Sequence, residues 1–138
     1  MRIVVELPWQ SGLSSNIYRF GAPSPKAKGR WKKARVRKPE VQQWMEDAGW
    51  LLLKVIAEAR VIDDAWGIHI QRPVRVEVDF RWPDARRRDA DNYFKVICDS
   101  IKGPLGLDDK DILPSARSAA IDRGRPGFTV TIRDAGEV

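Results

Sequence analysis

From Val74 to Trp82 the chain alternates without a break: Val74, Val76, Val78, Phe80 and Trp82 are separated by Arg75, Glu77, Asp79 and Arg81. A period of two sends successive side chains to opposite faces of a strand. One face must therefore be buried while the other meets water. Such a strand is not stable alone, so the fold must contain a sheet with one covered face. Pro83 ends the run, because proline cannot donate to a sheet ladder, and an arginine-rich stretch follows.

The covering layer can be read upstream. Pro39 suits a first helical position and Glu40 the positive helix end. Val41, Met45, Ala48, Leu52, Val55 and Ala59 recur at three- and four-residue steps, which predicts an amphipathic helix over 39–62, its stripe widened by Trp44 and Leu51. Residues 91–102 read as a second helix with Phe94, Ile97, Cys98 and Ile101 on its apolar face and Gly103-Pro104 as its stop. Residues 2–7 read as a strand ended by Pro8, and 112–122 as another. After the turn at Gly124, Pro126 and Gly127, the alternation of Phe128, Val130 and Ile132 marks a last strand. The order is β-α-β-α-β-β with a closing hairpin. It predicts an α+β (mixed α/β) domain, a small mixed sheet packed with two helices. Residues 9–38 show no sustained period and hold Gly12, Gly21, Pro23, Pro25 and Gly29. They are predicted to form a long loop, with Trp9, Tyr18, Phe20 and Trp31 as anchors or base-stacking groups. Residues 134–138 are expected to fray.

A length of 138 residues fits one domain, 1–138. No apolar run approaches the roughly 18–20 residues that span a bilayer, so no membrane is expected. Glu6 and Pro8 interrupt the N-terminal apolar stretch, which does not match a signal peptide. One cysteine, Cys98, and one histidine, His69, cannot build a zinc cage within one chain. The expectation is a soluble cytoplasmic protein with no small-molecule cofactor. His69 reads as a packing residue and Cys98 as core.

Formal net charge is +6, and its distribution says more than its total. From Leu7 to Pro39 there is no acid, while Arg30, Lys32, Lys33, Arg35 and Arg37 crowd its end. Arg86, Arg87 and Arg88 form a second basic cluster. Both are candidate DNA-backbone contacts. Beside the second cluster stand Asp89 and Asp91, two apart where a loop gives way to a helix. Asp91 is the expected N-cap. Asp108 and Asp109 follow the helix, and a short return loop could carry them back toward the first pair. Clustered carboxylates repel unless a cation joins them. Mg²⁺ favours oxygen ligands and is commonly held by one or two carboxylates, waters and substrate phosphate. Lys95 lies one helical turn beyond Asp91 and can meet charge developing on a phosphate. Alone, Asp-x-Asp-Asn is a helix cap and a basic run is a solvated loop. The combination points to metal-assisted phosphodiester hydrolysis.

The stretch Arg86-Arg87-Arg88-Asp89-Ala90-Asp91-Asn92-Tyr93-Phe94-Lys95, then Asp99, then Gly106-Leu107-Asp108-Asp109, resembles the RusA family of Holliday junction resolvases. Leu7-Pro8-Trp9, Ser15-Asn16 and Tyr18-Arg19 extend the likeness. The resemblance implies a homodimeric, Mg²⁺-dependent endonuclease, with Mn²⁺ as a substitute, that cuts four-way DNA junctions symmetrically in recombination and repair. It implies Asp89, Asp91 and Asp109 as metal-binding catalytic carboxylates, with Lys95 as the catalytic lysine. Asp108 stays an alternative to Asp109, because the loop before the pair is shorter than is common in the family. Two-fold symmetry has its own reason: one chain supplies one carboxylate cluster, and paired nicks need two. Other readings of the same residues are a non-catalytic nucleic-acid-binding module and a nuclease for forks or flaps.

Overall fold

The computed structural model describes residues 2–14, 18–23, 33–63 and 71–136, with the backbone alone at 18–23, 33–36 and 60–63. The elements run β1 (Arg2–Pro8), β2 (Tyr18–Pro23), β3 (Lys33–Arg37), α1 (Pro39–Asp63), β4 (Val74–Trp82), α2 (Asp91–Leu105), a 3-10 turn (Asp109–Asp111), β5 (Ile112–Ile121) and β6 (Gly127–Asp134). Four strands form a mixed sheet in the order β1-β6-β4-β5. β6 is antiparallel to both β1 and β4, and β4 is parallel to β5. The predicted α+β order is therefore present, but the predicted closing hairpin is not: β4 lies between β5 and β6, so the last two strands do not pair.

The alternation in β4 does what its period requires. Val74, Val76, Val78 and Phe80 are buried, and they join Ile3, Val5 and Leu7 of β1 and Phe128, Val130 and Ile132 of β6 in one core. Val41, Trp44, Met45, Ala48, Leu52 and Ile56 of α1 and Tyr93, Val96, Ile97 and Ile101 of α2 complete that core. The polar sheet face is laced by ion pairs: Arg133 with Glu77, Arg117 with Asp79, and Arg81 with Glu6. The Arg133 hydrogen bond holds the Glu77 carboxyl below its ordinary range, and Arg117 does the same for Asp79.

Four further expectations need correction. Residues 9–38 are not all loop: β2 and β3 pair as an antiparallel hairpin, Tyr18 opposite Arg37. Leu51 lies off the buried stripe of α1 at 37% exposure, beside the open Trp50. α2 does not stop at Gly103-Pro104. It runs on to Leu105 and ends at Gly106, whose left-handed φ of 64° closes the helix through bonds to the carbonyls of Gly103 and Lys102. Pro104 is kept inside because it packs toward α1, where a Cβ on Gly49 would stand 3.6 Å from the proline ring. The chain end is tied down further than expected. Asp134 belongs to β6 and is buried, its carboxylate accepting the Gln71 N–H at 3.0 Å, and the Ala135 N–H reaches the Pro73 carbonyl at 3.1 Å. Trp31, Trp66, His69 and Ser15-Asn16 fall outside the described residues.

Gly127 opens β6 between Pro8 of β1 and Arg81 of β4. A Cβ there would stand 2.5 Å from the Leu7 carbonyl oxygen, a backbone atom that cannot step aside without breaking the ladder. Gly127→Ala is expected to cost about 1–3 kcal/mol, read as a lower urea midpoint at unchanged slope.

Candidate active site

The sheet builds a platform at the start of α2. Phe80 and Trp82 on β4 stack at 4.8 Å, and Trp9, Tyr93 and Phe128 close around them at centroid distances of 5.3–6.1 Å. Trp9 is thus a packing anchor. Arg88 lies over this platform, its guanidinium carbon 5.1 Å from the Trp9 ring and 5.6 Å from the Trp82 ring. It pairs with Asp84 at 2.8 Å and donates to the Asp84 carbonyl at 3.3 Å. The Asp84 hydrogen bond raises the pKa of Arg88 and lowers that of Asp84, while burial raises that of Tyr93. The three arginines therefore separate. Arg86 and Arg87 are exposed, whereas the Arg88 side chain is 11% exposed and pins the loop between β4 and α2.

That loop delivers Asp89 and Asp91, both exposed, to the start of α2. The N-cap is Ala90 rather than Asp91, and Asp91 is the first helical residue. The capping contact comes from one residue earlier: the Asp89 carboxylate accepts the Asp91 N–H at 3.1 Å. Asp91 keeps its own carboxylate at the positive end of the helix.

From Asp91 one face of α2 alternates in charge through Lys95, Asp99 and Lys102. Asp99, its side chain 4% exposed, receives Arg37 at 3.2 Å, Lys95 at 3.3 Å and Lys102 at 3.2 Å. Burial pushes its carboxyl upward, but the Lys102 hydrogen bond and the charges of Lys102 and Lys95 outweigh burial and hold it below the ordinary range. Lys102 continues to Asp109 at 3.0 Å. Phe94, Lys95, Cys98, Asp99, Asp109, Ile112 and Pro114 line a cavity of about 230 Å³. Burial raises the Cys98 thiol to about 11. Its alkylation at pH 8 should run about a hundredfold slower than that of a free thiol, because the thiolate is the nucleophile; ordinary labelling speed would contradict this.

Asp108 and Asp109 take different parts. The 3-10 turn closes as a capping box between Asp108 and Asp111, and Asp111 is buried with Arg72 at 3.5 Å. Asp109 is 80% exposed and faces the cavity. Of the expected residues, the fold brings Lys95 and Asp109 to one cavity and sets Asp89 and Asp91 together at the helix start. It does not gather all three carboxylates. Asp109 returns to α2 at the level of Lys102 and Asp99, and Asp99 is roughly 12 Å along the helix from Asp91. Among the described residues no three His, Cys, Asp or Glu side chains are grouped closely enough to hold a metal. Carboxylates spread in this way suit an open site, in which one or two of them would leave a hard cation room for water and phosphate, rather than a closed cage. Arg37 is drawn to Asp99 and also reaches Gln42 at 3.5 Å. Lys33 and Arg35 lie on β3, and Arg30 and Lys32 are outside the described residues. Lys102 did not stand out in the sequence, although its three-residue step from Asp99 was visible there.

A family model described as endodeoxyribonuclease RusA matches residues 21–133, which include Asp89, Asp91, Asp99, Asp108, Asp109 and Lys95. The chain belongs to the RusA family. As a RusA-family endodeoxyribonuclease it is a hydrolase acting on DNA phosphodiester bonds. No curated protein matches it. No helix among the described residues is long and apolar enough to cross a membrane.

Proposed function

We propose that this RusA-family chain resolves four-way DNA junctions as a homodimer, making paired cuts by Mg²⁺-dependent hydrolysis. The observation that carries the reading is the common face of α2, on which Asp91 at the helix start leads to Lys95 beside the cavity that Asp109 also lines. In this reading Asp89 and Asp91 would hold the metal, with room left for water and substrate phosphate, and Asp109 would add its carboxylate from the cavity side. When bound, the ion supplies Lewis acidity toward the phosphate and lowers the pKa of water. Water attacks phosphorus in line as the bond to the leaving sugar oxygen breaks. Lys95, 59% exposed at its side chain, meets the negative charge that develops. Arg86 and Arg87 hold the strand backbone, as do Arg30, Lys32, Lys33 and Arg35 from the basic segment before α1. Arg37, engaged by Asp99, serves this segment as its anchor.

The deciding experiment compares cleavage of a four-way junction, a fork, a flap and a linear duplex in Mg²⁺ and in EDTA. The junction should be cut fastest, at symmetric positions, by a species that sediments as a dimer at micromolar concentration. Equal rates on linear duplex, or a strict monomer making paired cuts, would overturn the reading. Neutralising Lys32, Lys33 and Arg35 should flatten the salt dependence of junction binding by about 0.9 in log–log slope for each phosphate no longer neutralised. An unchanged slope would make these charges a solvated surface rather than a DNA contact.

A further inference from the structure

We infer that Asp99 is a positioning residue, a buried charge that fixes Lys95 for the phosphate and couples it to the basic hairpin and to Asp109. The inference rests on the function proposed above and adds a residue that touches neither DNA nor metal. Three cations from two separate elements converge on this one carboxylate. Arg37 arrives from the end of β3 at 3.2 Å, Lys95 from one turn before Asp99 at 3.3 Å, and Lys102 from just under one turn after it at 3.2 Å. The Asp99 side chain is 4% exposed, whereas those of Arg37, Lys95 and Lys102 are 33%, 59% and 32% exposed. The acid is thus the fixed point and the cations reach in from the surface toward it.

A surface ion pair with a long lysine gains little, because holding the side chain in one geometry costs entropy. A carboxylate withdrawn from water is a different partner. It needs compensating donors, and removing them leaves an uncompensated charge. Asp99 therefore restrains Lys95 more firmly than an exposed acid would. It does so at the wall of the cavity that Lys95, Asp99 and Asp109 share. Lys102 extends the same restraint, since it bridges Asp99 to Asp109 at 3.2 and 3.0 Å. One carboxylate thus sets both the ammonium aimed at the phosphate and the position of the far carboxylate. Arg37 ties the end of the basic segment to the same point, so DNA engaged by that segment is held in register with Lys95.

A purely structural staple would make the same contacts, so the test must read more than folding. Asp99→Asn removes the charge and keeps the shape. In the full-length protein we expect kcat on a four-way junction to fall about 10²-fold, the scale of a misplaced reacting group, with junction Kd within about threefold of wild type. The double variant Lys95→Ala/Asp99→Asn should then lose less kcat than the product of the two single losses, because part of what Asp99 does runs through Lys95. Losses that multiply, or an unchanged kcat in Asp99→Asn, would overturn the inference. An arm independent of cleavage uses ¹⁵N side-chain NMR. The Lys95 ammonium signal, kept visible by slow exchange in a held ion pair, should disappear in Asp99→Asn. Its persistence would refute the restraint. If wild type cuts no branched DNA, the functional reading fails while this signal still decides whether Asp99 holds Lys95. Should Asp99→Asn not fold, Asp99→Glu, which shifts the charge by one methylene, carries the same readouts. A fall in kcat at constant Kd supports the role and an unchanged kcat removes it.

Discussion

Asp91→Asn is expected to abolish cleavage of a synthetic four-way junction in Mg²⁺, by about 10³-fold or more, while junction Kd stays within about threefold of wild type. The structural reason for a clean separation is that Asp91 carries little of the fold. It is exposed at the first position of α2, and the capping contact there is made by the Asp89 carboxylate on the Asp91 backbone N–H, which asparagine retains. The loss to the fold is the interaction of one carboxylate with the positive helix end, about 0.3–1 kcal/mol. The loss to chemistry is much larger, because asparagine replaces an anionic oxygen at the site proposed for a hard divalent cation. Melting temperature, junction binding in Ca²⁺ and single-turnover cleavage in Mg²⁺ separate the two effects. Cleavage at the wild-type rate would remove Asp91 from the reaction and with it the metal assignment. Asp108→Asn provides the contrast. Its carboxylate belongs to a capping box with Asp111, so this change should act on stability before rate.

The parts of the fold that could be read in advance are those whose periodicity is enforced by a large buried neighbour. The alternation in β4 and the stripe of α1 each face one continuous core, and so the pattern is written in consecutive residues. The β2–β3 hairpin was illegible for the opposite reason. Tyr18–Pro23 contains Gly21 and Pro23, and its pairing with Lys33–Arg37 shifts register between Phe20 and Pro23. The alternation of Lys33, Arg35 and Arg37 with Ala34 and Val36 was present, but five residues are too few to outweigh the charge. α2 outlasted its expected stop because Pro104 found a packing partner on α1, a contact between distant segments that no local rule encodes.

The site was legible in its residue types and illegible in its division of labour. Asp91 and Lys95, one turn apart, are a local pattern, so their placement on one helix face follows from helix geometry alone, and Asp89 stands just before that helix. The course of the return loop does not. Asp109 comes back to Lys102 near the C-terminal half of α2 instead of joining Asp89 and Asp91, because Lys102 offers a cation there and the turn is fixed by Asp108, Asp111 and Arg72. Likewise Arg86, Arg87 and Arg88 are equivalent in sequence. Only the burial of Arg88 against Trp9 and Trp82, brought together by β1, β4 and β6, sets it apart.

Arg88→Ala is expected to lower junction cleavage about 10²-fold without changing the salt slope of binding. The planar guanidinium lies over two tryptophan rings and pairs with Asp84, so it fastens the loop whose next residue is Asp89. Each stacked contact contributes about 0.5–2 kcal/mol. Their removal lowers the melting temperature, so rates should be compared well below the transition. Freeing the loop costs turnover because displacing a reacting group by about 1 Å already costs about 10²-fold. Arg86→Ala and Arg87→Ala provide the contrast. These exposed side chains are proposed to contact phosphate, so each should reduce the salt slope by about 0.9 and leave stability nearly unchanged. Arg88→Lys sharpens the distinction. It keeps a positive charge but neither the planar stack nor the fork that meets Asp84, so it should resemble Arg88→Ala in turnover. If Arg88→Lys restores cleavage, or if Arg88→Ala lowers the salt slope as Arg86→Ala does, then Arg88 is a phosphate contact and the loop is held by something else.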